Sequence, residues 1–224
     1  MAYIFRNLDW SVLTNAVISV IPALICITLH ELAHGFVAYK LGDDTAKRMG
    51  RLTLNPIKHI DIMGLIMMAV FHFGWAKPVP VDMRKFKNPK KGMAVTALAG
   101  PVSNLIIAIV FLALYGFLYP LLYASNVGAT VLDILNTTAI ISISLGIFNI
   151  IPVPPLDGSK VLFSCISDSA YYKLMRYERY GMLVVALLLF TGVLSGPMSS
   201  ALQFVYGKLF FIAQWANDMA VMLF

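Results

Sequence analysis

The sequence predicts an all-α polytopic membrane protein with about five to six transmembrane helices and a short β-strand or re-entrant element after the first helix. Three observations carry that reading. Of the 224 residues, 59% are hydrophobic and 12% charged, at a mean hydropathy of +0.80, which is too apolar for a soluble domain that must cover its own surface. Apolar runs at about 11–40, 93–123, 128–151, 180–195 and 199–224 approach or exceed the roughly 20 helical residues that cross a bilayer core. The net charge of +6 arises from 17 Lys and Arg against 11 Asp and Glu, with most cations in two stretches, Lys47 to Lys58 and Lys77 to Lys91. Clustering of that kind sets membrane topology and does not argue for nucleic-acid binding.

The elements follow in order. The first run has no basic leader with a small-residue cleavage site, so it is expected to be retained and not removed as a signal peptide. Arg51-Leu52-Thr53-Leu54-Asn55-Pro56 alternates polar and apolar residues, which suits a short strand ending in a turn, with an edge on which an extended peptide can dock. Ile60 to Trp75 is apolar but only 16 residues long. Charge decides its expected course: if it crossed the membrane, the two basic stretches would face opposite compartments, against the cytoplasmic bias of Lys and Arg. A segment that dips in and returns keeps both inside, with the N-terminus outside and, if both late segments span, the C-terminus inside. The 180–195 run ends in Ser195-Gly196-Pro197, a break before the last helix. We therefore expect residues 1–160 to form a membrane core and 161–224 to add C-terminal helices to the same domain. Cys26 lies in the first apolar run and Cys165 beside a polar loop, which gives no support for a structural disulfide.

The chemistry is concentrated in His30-Glu31-Leu32-Ala33-His34, at the end of the first run. On a helix His30 and His34 share one face and can meet one zinc ion, while the helical step turns Glu31 about 100° away, toward a water beside the metal. Each ionisable group costs roughly 2.5–3.5 kcal/mol near a bilayer centre, so three within five residues demand a compensating partner. Catalytic zinc takes three protein ligands, and Asp157 is the expected third. It follows Pro152, Pro154 and Pro155, which abolish regular helix, and precedes Gly158, which permits a turn. Asp43, Asp44, Asp61, Asp82 and Asp168 fall in polar loops and Asp133 in the wrong half of its helix, so they are weaker candidates. His59 and His72 are expected to be satisfied or interfacial histidines and Cys26 a packing residue. Arg84, Lys85, Lys87, Lys90 and Lys91 form a basic collar suited to orientation and anionic lipid. Tyr171, Tyr172, Tyr177 and Tyr180 sit among cations, as in an interfacial amphipathic segment.

Together, His30 to His34, Gly100-Pro101-Val102-Ser103-Asn104 and Asn149 to Gly158 resemble the site-2 protease family of intramembrane zinc metalloproteases. The segment Gly74 to Val81 is similar to the compact bacterial members that lack a PDZ domain. The resemblance implies one zinc per chain held by His30, His34 and Asp157, zinc-activated water with Glu31 as general base, and a transmembrane protein substrate in the lipid bilayer. It also implies that Asn149 contacts substrate or the developing oxyanion; Asn104, one turn after Gly100, is expected to hydrogen-bond across a helix interface and is carried as a further candidate for that role. The implied place is a bacterial cell membrane, with the active site near its cytoplasmic face. The competing class is a metal transporter or metal-sensing membrane protein, in which intramembrane His and Asp line an ion path and Glu31 is not needed as a base.

Overall fold

The computed structural model describes residues 10–64, 67 and 75–223, and their side chains except those of residues 10–19, 168 and 172–179. The chain is helical: α1 Trp10–Lys40, the single turn α2 Thr45–Arg48, α3 Pro89–Leu122, α4 Asn126–Ile150, α5 Asp157–Ser164, α6 Asp168–Phe190 and α7 Ser195–Leu223. Two short 3-10 turns, Pro56–His59 and Met83–Lys85, lie between α2 and α3. Asn88, Ser125 and Ser167 accept backbone N–H groups at the starts of α3, α4 and α6, satisfying donors that the first helical turn leaves open.

Helix α3 is the hub, packed against α1, α4, α5 and α7. The sequence dictates this through a four-residue period. Pro22, Cys26, His30, His34 and Ala38 are the buried stripe of α1, and Gly92, Thr96, Gly100, Asn104, Ala108, Leu112 and Gly116 are that of α3. Rows of residues four apart form the ridges by which helices interlock, and small residues along them let the axes approach. The apolar end of this packing, away from the histidines, contains Ala108, Leu112, Ala139, Ile143 and Ala213 from α3, α4 and α7. Cys26 belongs to the packing as expected, its thiol 3.5 Å from the Thr138 carbonyl oxygen.

Among the described residues, three helices are long and apolar enough to cross a membrane: Val20–Lys40 within α1, α3 and α4. The last two helices meet that test only as a pair, Tyr180–Phe190 with Ser195–Leu223, bent by 85° at the break. Among the described residues the candidate spans are therefore three helices and one bent pair, against the five to six expected. The apolar part of α6 is too short by itself, and Ser195 begins a new helix in another direction. The expected strand at Arg51 to Asn55 does not form: Leu52 to Leu54 are bends and the two flanking residues are irregular. Arg51 is buried and donates to the Lys77 carbonyl oxygen at 2.8 Å, whereas Leu54 is exposed, so the alternation marks two surroundings and not a ladder. The β pairing among the described residues is an isolated antiparallel bridge, Ile60 with Ala76, reinforced by Lys77 N–H to the His59 carbonyl at 2.9 Å. The course of 60–75 between those ends lies largely outside the described residues, as does His72.

Buried Asp43 ties the connections together. Its carboxylate accepts from the Thr45 amide at 2.9 Å and the Asp82 amide at 2.6 Å, with Lys85 Nζ at 3.5 Å. Burial pushes that carboxyl up, but the Thr45 hydroxyl, the two amides and Lys85 together hold it below its ordinary value. Much of the basic collar is committed in the same way. Lys85 also bonds Asp44, Arg84 pairs with Asp82, and Lys90 bonds the Ile166 carbonyl and lies over the ring of Tyr171. Tyr171 is fully buried, so it is a core residue and not part of an interfacial aromatic belt.

Candidate active site

The α1 stripe carries His30 and His34 into the interior, 5% and 9% exposed, with their Nε2 atoms 3.0 Å apart. Asp157, 7% exposed, brings Oδ2 to 3.2 Å from the first and 3.1 Å from the second. It arrives there because α4 stops at Ile150 and the proline-rich segment turns the chain back before α5 begins at Asp157. Gly158 makes the return possible, though not through an unusual turn: a Cβ there would stand 1.9 Å from the Ile150 carbonyl oxygen.

These three atoms fit a metal ion. Ligand distances of roughly 2.0–2.1 Å in a tetrahedral site space the ligand atoms by about 3.3 Å. The observed edges of 3.0, 3.1 and 3.2 Å are close to that spacing. Nδ1 of His34 lies 2.7 Å from the carbonyl oxygen of Thr96, which can only accept. His34 therefore carries a proton on Nδ1, and in the neutral ring Nε2 presents a lone pair toward Asp157. Lone pairs aimed at one point repel unless a cation lies among them. Lys160, with its ammonium near Oδ1, favours the ionised carboxylate that a metal ligand must be.

Around this triangle is a cavity of about 370 Å³ lined by Glu31, Trp75, Val79, Phe148, Asn149, Leu156, Asp157, Lys160 and Met182, among others. Glu31 Oε2 accepts the Val79 amide at 2.8 Å, so the non-helical Trp75 to Val81 segment orients the carboxylate from outside α1. Lys160, one helical turn after Asp157, places Nζ 3.9 Å from its other oxygen, Oδ1. Asn149 lines the cavity and donates to the Leu145 carbonyl at 2.9 Å. Asn104 is not among the residues lining it: fully buried on α3, it faces Nδ1 of His30, the bond across a helix interface expected of it. His59 bonds the Thr53 carbonyl, Asp133 is exposed, and Asp43, Asp44 and Asp82 bind one another's loops, so none of these joins the triangle. Sequence reasoning did not find Thr96 and Val79, which act through backbone groups any residue supplies. Lys160 did carry a signal, its three-residue spacing from Asp157 on a helix.

Gly100 has a role beyond helix packing. A Cβ there would lie 2.5 Å from Cε1 of His30 and from Cε1 and Nε2 of His34. Gly100→Val is expected to weaken metal affinity at least tenfold, since displaced ligand support costs about 10–100-fold in affinity. Competition with a chromophoric chelator on the purified, folded variant checks this, and a wild-type Kd would contradict it.

Residues 119–192 match the description "Peptidase family M50", a stretch that includes Asn149, Asp157 and Lys160. The chain is 41% identical over 176 residues to YwhC of Bacillus subtilis (strain 168), named as a candidate zinc metalloprotease, covering 77% of this chain and 80% of the relative. The chain belongs to peptidase family M50. This M50 member is also 30% identical over 177 residues to Rip2 of Mycolicibacterium smegmatis, likewise named as a candidate zinc metalloprotease, covering 77% of this chain and 66% of that one. It is 28% identical over 173 residues to the zinc metalloprotease MJ0392 of Methanocaldococcus jannaschii, covering 75% of this chain but 38% of the relative. No solved structure gives a significant match. Membership and the apolar helices make this M50 chain a membrane metalloprotease.

Proposed function

We propose that this M50 protease is an intramembrane zinc endopeptidase that cuts transmembrane segments of other membrane proteins. The observation that carries the reading is the buried triangle of His30, His34 and Asp157, with Glu31 beside it on the same cavity wall and on a helix apolar enough to span. His30, His34 and Asp157 hold one zinc per chain. When bound, the ion supplies Lewis acidity, polarising the scissile carbonyl and making a water acidic enough to lose its proton near neutral pH. Glu31, fixed by the Val79 amide, takes that proton and returns it to the leaving amide nitrogen. Lys160 steadies the far oxygen of Asp157, and Asn149 contributes a polar group to the same cavity.

The largely apolar cavity walls suit apolar residues flanking the cut. A helical substrate hides its peptide bonds, so it must unwind before it enters. The non-helical backbone at the cavity is Trp75 to Val81, bridged to Ile60 through Ala76, and this segment takes the docking role first assigned to Arg51 through Asn55. Its join to Ile60 holds the ends of the 60–75 segment side by side, which supports a re-entrant course with both basic stretches on the cytoplasmic face of a bacterial cell membrane. Met182 and Val185 of α6 line the cavity too, so residues 161–224 complete one domain with the 1–160 core.

The test is reconstitution in liposomes with a peptide carrying a membrane-spanning sequence. Cleavage is expected within the apolar stretch, to cease on chelation and to resume with added zinc. Cutting confined to soluble peptides, or insensitive to the chelator, would overturn the proposal.

A further inference from the structure

The two histidines are held from behind in different ways. His34 Nδ1 faces a backbone carbonyl, that of Thr96, so its tautomer does not depend on the identity of the side chain there. His30 Nδ1 faces a side-chain amide, that of Asn104, at 3.1 Å. Asn104 is 0% exposed, and Ser142 Oγ donates to its backbone oxygen at 2.7 Å, joining α3 to α4 at this level. The side-chain oxygen, as placed, has no hydrogen-bond partner.

An amide is two-faced toward an imidazole. If its nitrogen faces Nδ1, the neutral ring accepts there and carries its proton on Nε2, which is then closed to a metal. If its oxygen faces Nδ1, the ring donates there and Nε2 is free. The two placements have the same shape, so hydrogen-bond logic must choose between them. As placed, the amide nitrogen faces His30 and the oxygen has no partner. The triangle chooses between the placements: His30 Nε2 lies 3.0 Å from His34 Nε2 and 3.2 Å from Asp157 Oδ2, a position of use to a cation only with its lone pair exposed.

We infer that Asn104 is a positioning residue for the metal centre, presenting its side-chain oxygen to the Nδ1 proton of His30 and so locking the metal-binding tautomer and ring orientation. It touches neither substrate nor the reacting atoms. This rests on the zinc reading above, and it makes a claim that reading does not: the group behind His30 must accept a hydrogen bond.

The experiment measures zinc Kd by competition with a chromophoric chelator, together with the visible spectrum of the cobalt-loaded protein, for wild type, Asn104→Leu and Asn104→Asp. An ionised Asp, as the Nδ1 proton beside it favours, can only accept. Asn104→Leu is expected to lose about 10–100-fold in zinc affinity, with a weakened tetrahedral cobalt band, while Asn104→Asp binds at least as tightly as wild type. If the Leu variant does not fold, Asn104→Ala takes its place, removing the amide without adding volume. Kd and spectrum unchanged in the Leu or Ala variant would overturn the inference, leaving Asn104 as helix–helix packing. An Asp variant that binds as poorly as Leu or Ala would also overturn it, because the acceptor would then not be what matters. A wild-type protein that binds no zinc at all would instead refute the underlying zinc reading, so the two failures are distinguishable.

Discussion

Glu31→Gln is expected to lower the rate of peptide cleavage by roughly 10²–10⁴-fold, the range for loss of a general base, while zinc stays at one per chain. Glu31 is separable from the metal because its carboxylate is held by the Val79 amide at 2.8 Å and is not part of the triangle. Glutamine keeps the shape and offers a carbonyl oxygen to the same amide, so the Trp75 to Val81 segment should stay in place. What it loses is basicity: a neutral amide cannot take the proton from water. Single-turnover cleavage of a membrane-spanning peptide, with metal analysis of the same sample, checks both halves. A rate within tenfold of wild type would remove Glu31 from its role. The result also separates a protease from a metal carrier, since a carrier that uses His30, His34 and Asp157 should be indifferent to the substitution.

Legibility from sequence differed by the kind of atom used. His30, Glu31 and His34 were readable because a four-residue spacing on a helix fixes relative direction. Asp157 was readable because three prolines at membrane depth need a reason, and an acid beside them supplies one. Thr96 and Val79 were not, since a carbonyl and an amide exist at every position and only the fold selects those that meet His34 and Glu31. Asn104 was read as a residue that bonds across a helix interface, and its partner there is a histidine that the sequence did not name. Gly100 and Asn104 lie one turn apart on the α3 stripe that faces the α1 stripe, so both press against histidines. The α3 stripe itself was written in the sequence every fourth residue, but its partner helix was not.

The same limit explains the errors in the fold. Hydropathy measures a local segment, and it gave 180–195 the standing of a span because it does not register the 85° change of direction that follows Phe190. Alternation at Arg51 to Asn55 was real, but a strand needs a neighbour. Arg51 turns inward to the Lys77 carbonyl, and the non-helical segment it braces is Trp75 to Val81.

Asp157→Ala should remove metal and activity together, in contrast to Glu31→Gln. Zinc-finger sites bind with apparent free energies of roughly 10–16 kcal/mol over four ligands, or about 3 kcal/mol for each, which puts the loss at roughly a hundredfold or more in affinity. The helices should survive, because Asp157 contributes little to the packing among α1, α3, α4 and α7 and its removal leaves a small polar gap beside Lys160. Dialysed Asp157→Ala protein is therefore expected to be folded, zinc-poor and inactive, with partial recovery at high zinc concentration, because His30 and His34 still share their face of α1. Glu31→Gln should show no such recovery. If the Asp157 variant kept one zinc through dialysis, the third ligand would have to come from elsewhere, and the proline-broken end of α4 would lose the reason assigned to it. Recovery by zinc in one variant and not in the other would separate the residue that holds the ion from the one that moves the proton.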